Sequence, residues 1–155
     1  MALAAAIKRG DVSAMEVTET AIGVVEKLNP KLNAVVMTNF DNARDAAKDV
    51  LADTALAGVP FLLKDVNQFS HDMPTTFSCA FFADAAAKPD SELVSRWRKA
   101  GLIILGKTNT PEFAEDFVCE PTLRGVTLNP WNAEVTTGGS SGGAGAAVAS
   151  GMVPF

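Results

Sequence analysis

The sequence predicts a layered α/β fold with parallel strand pairings, on three observations. Segments of helical period alternate with short apolar runs along most of the chain. One of those runs, Leu102-Ile103-Ile104-Leu105, has no polar position and lies between Gly101 and Gly106, as expected of a strand buried on both faces. The 155 residues are 48% hydrophobic and 20% charged, which suits one ordinary domain and excludes a disordered chain.

The elements follow in order. Met1 to Arg9 reads as a first helix ended by Gly10, and not as a signal peptide, because its positive charges come after the apolar run. Ser13-Ala14-Met15-Glu16 is a capping box, with a hydroxyl for the orphan N–H groups and a glutamate three residues on. Val17, Ala21, Val24 and Leu28 then recur on one helical face, and Pro30 is expected to close the helix. Leu32 to Met37, with Val35 and Val36, reads as a strand. Asp41 is expected to cap a third helix running to about Leu51.

Gly58-Val59-Pro60-Phe61-Leu62-Leu63 reads as a second strand, entered through a proline that suits a sheet edge. Asn67 to Lys88 lacks a steady period and reads as loop with short elements. Asp90 or Ser91 is expected to cap the next helix, whose inner face is Leu93, Val94 and Trp97 and whose stop is Gly101. After the Leu102–Leu105 strand, Thr110-Pro111-Glu112 reads as a cap followed by proline at the first helical position.

Thirteen basic against eighteen acidic residues give a net charge of −5 with no basic cluster, so no nucleic-acid partner is expected. No stretch approaches the roughly twenty apolar residues needed to span a bilayer, so no membrane partner is expected either. Cys79 and Cys119 form no CxxC pair and His71 is the only histidine, which leaves no metal site and no cofactor to expect. Two reduced thiols in a cytoplasmic protein is the default. Six of the twelve glycines fall in the last eighteen residues, and the chain stops at the apolar Met152-Val153-Pro154-Phe155. That end reads like a cut through a core, so the length is expected to describe a piece of a larger protein.

Three signals bear on chemistry. Gly101 to Thr108 satisfies the phosphate-loop pattern GxxxxGK[ST] letter for letter, but the four intervening residues are themselves the expected strand and offer no backbone cradle. Lys64 follows the second strand, where sites of α/β sheets tend to form, and a lysine drawn out of water loses its preference for the charged form and becomes a competent base. The opposing reading is a surface lysine paired with Asp65. Thr136-Thr137-Gly138-Gly139-Ser140-Ser141-Gly142-Gly143 brackets two serines with glycine pairs and can aim hydroxyls and N–H groups at one point. Its opposing reading, a flexible linker, sits poorly with the apolar run from Ala146 to Val153.

Together, Lys64 and the glycine–serine loop resemble the amidase signature family. The resemblance covers nearly the whole chain. It runs through Gly58 to Asp65, Pro74-Thr75-Thr76, Asp90 to Val94, Gly106 to Phe113, Glu120-Pro121, Asn129-Pro130-Trp131 and Gly138 to Gly143. It implies a layered α/β/α fold with a mixed sheet, of which this chain is the N-terminal portion: a helical region over 1–57 and the start of the signature core over 58–155. It also implies hydrolysis of a small-molecule carboxylic amide by a Ser–cis-Ser–Lys triad, in enzymes where homodimers are common.

Residue by residue, the resemblance makes Lys64 the catalytic lysine and Ser140 the serine after a cis peptide bond. Gly138, Gly139, Ser141 and Gly142 become substrate- or loop-positioning residues. The serine nucleophile has no counterpart here. Fifteen residues follow Ser140, and Ser150, inside an expected helix and without a glycine pair before it, is not assigned to that role. The nucleophile is therefore expected beyond residue 155, and the 155-residue piece alone is expected to be inactive. Thr137 also departs from the family, where many members have proline. A non-catalytic binding or assembly module is the alternative, and a glutaminase-type subunit of a tRNA-dependent amidotransferase is a lesser one.

Overall fold

The computed structural model describes residues 2–51 and 53–155. Three strands form one mixed sheet in the order β1-β3-β2, with β1 (Val35–Thr38) antiparallel and β2 (Pro60–Lys64) parallel to the central β3 (Ile103–Thr108). All six residues of β3 are buried. Its alternation feeds two cores. Ile103 and Leu105 pack with Leu62 against α1 (Ala2–Arg9), α2 (Ala14–Leu32), α3 (Phe40–Lys48) and α5 (Gly142–Ala149). On the other face, Ile104 packs with Leu63, Met73 and Val94 of α4 (Glu92–Lys99). The helices therefore cover both faces of the sheet, and a strand with no polar position among Leu102–Leu105 is what such a middle layer requires. The β1–β3 pair makes the sheet mixed, where periodicity alone pointed to parallel pairings.

The Ser13 capping box forms in full: Ser13 Oγ accepts from Glu16 N at 3.1 Å, and Glu16 Oε2 accepts from Ser13 N at 2.8 Å. Pro30 does not close α2. The helix runs through it to Leu32 and ends at Asn33, whose left-handed backbone (φ 52°) lets its N–H bond to Asn29 O at 2.8 Å. The Asn29 side chain then takes up both polar groups of Val35, accepting from N at 2.7 Å and donating to O at 2.8 Å, which sets the entry to β1.

Three other expectations shift. Asp41 lies inside the first turn of α3 and pairs with Arg44. The residue before that helix is Asn39, whose side chain is buried and donates to Asp72. Leu93 is exposed, because α4 turns Val94 and Trp97 inward and a neighbour of Val94 points about 100° away. Trp97 meets Phe61 edge-on at 4.9 Å. Thr110-Pro111-Glu112 opens only a short 3₁₀ turn, Glu112–Ala114, with Phe113 and Ala114 at positive φ, and Thr110 caps nothing. Within the Asn67–Lys88 loop are a Ser70–Met73 bridge and a 3₁₀ turn, Ala80–Phe82. Met1 of the first expected helix lies outside the described residues.

The phosphate-loop letters prove to be sheet. Gly106 sits where a side chain is impossible, because a Cβ there would stand 2.1 Å from Met37 O on β1. Lys107 is wholly buried and donates to Thr75 Oγ1. Among the described residues no helix is long and apolar enough to cross a membrane, and no group of three or more His, Cys, Asp or Glu side chains is placed to hold a metal ion.

Candidate active site

Lys64 is the last residue of β2, paired across the sheet with Thr108. Its backbone N–H donates to Gln68 Oε1 at 2.6 Å, which fixes the turn out of the strand. Its side chain leaves the sheet end toward the glycine–serine loop. Nζ donates to Ser140 Oγ at 2.7 Å and to Ser141 Oγ at 3.0 Å, joining residues 76 and 77 positions apart in the chain. Burial holds the Lys64 amine below the usual lysine range, and the neighbouring Cys119 sulfur works against that shift. Cys119 is itself pushed up by burial, which favours its neutral thiol form.

Asp65 is not the partner of Lys64. Its side chain turns to the other side of the strand, as successive residues do, and is wholly buried. It accepts from Thr76 N at 2.9 Å, from Thr76 Oγ1 and from Ser78 N at 3.5 Å, and it lies 3.8 Å from Lys107 Nζ. The surface ion pair that would have kept Lys64 charged is therefore not formed.

The glycine–serine loop is packed into a slot. A Cβ at Gly142 would meet Cys119 Cβ and Thr137 Oγ1 at 2.4 Å, and one at Gly143 would meet Asn109 N at 2.4 Å and Ala34 O at 2.6 Å. A flexible linker has no such neighbours. Gly138 has φ +73° and donates to Thr136 Oγ1 at 3.2 Å, Gly139 lies against the backbone of Asp116 and Phe117, and the Gly139–Ser140 peptide bond is cis. Gly142 begins α5, which packs on the sheet through the buried Ala146 and Ala147. The loop thus enters between Cys119 and the end of β3 and presents Ser140 and Ser141 to Lys64.

The residues named from sequence are therefore brought together at one sheet end: Lys64, Ser140 and Ser141 by direct hydrogen bonds, and Gly138, Gly139 and Gly142 as the loop around them. Ser150 is elsewhere occupied, its hydroxyl donating to Ala147 O at 3.2 Å at the end of α5. His71 is exposed and pairs with Asp90 at 2.8 Å. Sequence reasoning missed the Lys107–Asp65 pair. The available signal was a lysine continuing an all-apolar strand, which demands a buried counter-charge, with an aspartate next to the end of the neighbouring strand.

A family model described as Amidase matches residues 16–155. The chain belongs to that family. Relatives agree. The 6-aminohexanoate-cyclic-dimer hydrolase of Paenarthrobacter ureafaciens is 41% identical over 150 residues, which are 96% of this chain and 30% of that protein. The indoleacetamide hydrolase of Bradyrhizobium diazoefficiens is 40% identical over 156 residues, with the same shares of 96% and 30%. The solved structure of a 6-aminohexanoate cyclic dimer hydrolase complexed with substrate superposes with a TM-score of 0.94 at 40% identity, covering 99% of this chain and 32% of that one. A bacterial aryl acylamidase of the amidase signature enzymes superposes with a TM-score of 0.90 at 32% identity, over 97% and 33% of the two chains. This amidase chain thus spans about a third of the length of the relatives it matches. Its layered, mixed-sheet fold is theirs.

Proposed function

We propose that this amidase chain forms part of an enzyme that hydrolyses a small carboxylic amide to an acid and an amine or ammonia through a Ser–cis-Ser–Lys relay. The observation that carries the reading is the 2.7 Å hydrogen bond between Lys64 Nζ and Ser140 Oγ, on an amine whose charged form burial disfavours. A neutral amine next to a hydroxyl is a proton acceptor with a ready-made path. Lys64 takes the Ser140 proton as Ser140 takes that of a serine nucleophile, and the nucleophile oxygen bonds to the amide carbonyl carbon. The C–N bond then breaks, and the departing nitrogen receives the proton back through Ser140. Water repeats the sequence on the acyl-enzyme, releasing the acid and restoring the serine.

Ser141, 3.0 Å from Nζ, holds the amine in line, and Gly138, Gly139 and Gly142 give the loop its shape. The serine nucleophile is assigned to sequence following Phe155, in keeping with the share of its relatives that the chain spans. In the full-length protein, Ser140→Ala is expected to lower kcat about a thousandfold or more with the fold retained. Wild-type turnover in that variant would overturn the relay. The 155-residue chain by itself is expected to hydrolyse no amide. Hydrolysis by the purified chain would overturn the placement of the nucleophile.

A further inference from the structure

Thr110 reads in sequence as a helix cap, yet no α-helix follows it and its side chain is wholly buried. Its hydroxyl donates to the backbone carbonyl of Ser140 at 2.9 Å, across thirty residues of chain. The neighbouring Asn109 holds the same loop from the other side: its carbonyl accepts from Gly143 N at 3.2 Å. Asn109 is itself immobilised. Its N–H donates to Ala34 O at 2.9 Å, its Nδ2 donates to Gly125 O and Thr127 Oγ1 at 2.9 Å each, and its Oδ1 accepts from Thr110 N at 3.1 Å. The two residues directly after β3 therefore grip the serine loop before and after Ser141, from a base anchored on two other segments, at Ala34 and at Gly125–Thr127.

We infer that Thr110 is a positioning residue, its hydroxyl pinning the Ser140 carbonyl so that the Ser140 hydroxyl stays within hydrogen-bond reach of Lys64. The inference rests on the relay proposed above. A backbone carbonyl that accepts one directed hydrogen bond from a rigid donor cannot rotate its peptide unit freely, and the Ser140 side chain leaves from that same residue. A proton relay is sensitive to displacements well below the size of an atom. Thr110 touches none of the reacting groups, so its effect falls on turnover and not on substrate affinity.

Hydroxyl and shape separate cleanly at this position. Thr110→Val keeps the branched shape and removes the donor. Thr110→Ser keeps the donor and removes a methyl, and Thr110→Ala removes both. In the full-length enzyme, kcat is expected to fall about 10- to 100-fold in the Val and Ala variants with KM within about twofold, and to stay within about threefold of wild type in the Ser variant. If Thr110→Val does not fold, the Ser and Ala variants decide: high kcat in Ser with low kcat in Ala supports the inference. Equal losses in Ser and Ala, or wild-type kcat in Val, assign Thr110 to packing and overturn it. Ser140→Ala is run alongside. If that variant is inactive while Thr110→Val turns over normally, the inference alone fails, and if Ser140→Ala is fully active the relay fails and the inference with it.

Discussion

Two lysines stand side by side at the ends of neighbouring strands. Lys64 closes β2, and Lys107, paired with Leu63 across the sheet, is the penultimate residue of β3. Lys64 is half-buried, and its hydrogen bonds go to the neutral hydroxyls of Ser140 and Ser141. Lys107 is fully buried, donates to Thr75 Oγ1 and has the Asp65 carboxylate at 3.8 Å. Burial disfavours the charge on both. The difference lies in the partner. A carboxylate ties a lysine's positive charge to structure, whereas hydroxyls stabilise it less and offer the neutral amine a route for a proton. Under the proposed relay, chemistry and architecture are divided between two identical side chains by what the opposite loop places in front of each.

The same substitution at both positions is the sharpest way to break this comparison. Lys64→Met is expected to cost the full-length enzyme about a thousandfold or more in kcat. Its thermal midpoint should not fall, since the variant removes a desolvated amine that pairs with no carboxylate among the described residues. Lys107→Met is expected to act on stability instead. It leaves the Asp65 carboxylate buried and uncompensated, which costs about 3–5 kcal/mol, and Asp65→Asn in the same chain should recover most of that loss. Denaturant unfolding of the two single variants and the pair measures both effects. Equal stability losses at Lys64 and Lys107 would erase the distinction.

The pH dependence of stability sharpens it further. Burial lowers Lys107 from 10.5 to about 8, against the pull of Asp65 and Asp72. Between those two values the unfolded chain binds the proton and the folded chain does not, so protonation favours unfolding and stability rises with pH across that window. Wild type should therefore gain on an Asp65→Asn/Lys107→Met reference as pH rises from about 8 to 10.5. A difference that is flat or falls over that range would contradict the lowered value. The smallest effect is expected at Ser141. Its hydroxyl is the second acceptor on Lys64, and Ser141→Ala should lower kcat about tenfold, the worth of one ordinary hydrogen bond. A loss matching that of Ser140→Ala would mean that the two hydroxyls share one role.

How much of this was legible in sequence depended on whether the physics was local. The Ser13 capping box, the strand around Ile103–Leu105 and the glycines that let the serine loop fit its slot are written in neighbouring residues, and they formed as read. The partners of buried polar groups are chosen by residues far along the chain. Lys107 in an apolar strand calls for a counter-charge, but only the sheet pairing brings Asp65 to it, and nothing near Thr110 shows that its hydroxyl belongs to Ser140 and not to a helix end. Pro30 misled for a related reason. The helix end was set by the left-handed Asn33 and by Asn29 gripping the next strand, and not by the missing N–H of the proline. Leu93 shows the limit of period counting, since a helix of eight residues with one strongly buried position leaves its flanks to the surroundings.

Direct titration of the Lys64 amine tests the division of labour at its root. In protein labelled with 13C-lysine, NMR follows each amine through its pH titration, and the resonance missing from Lys64→Met identifies Lys64. The Lys64 midpoint is expected clearly below the ordinary lysine value of about 10.4. A midpoint at or above that value would leave the amine charged throughout the working range and contradict its use as the base.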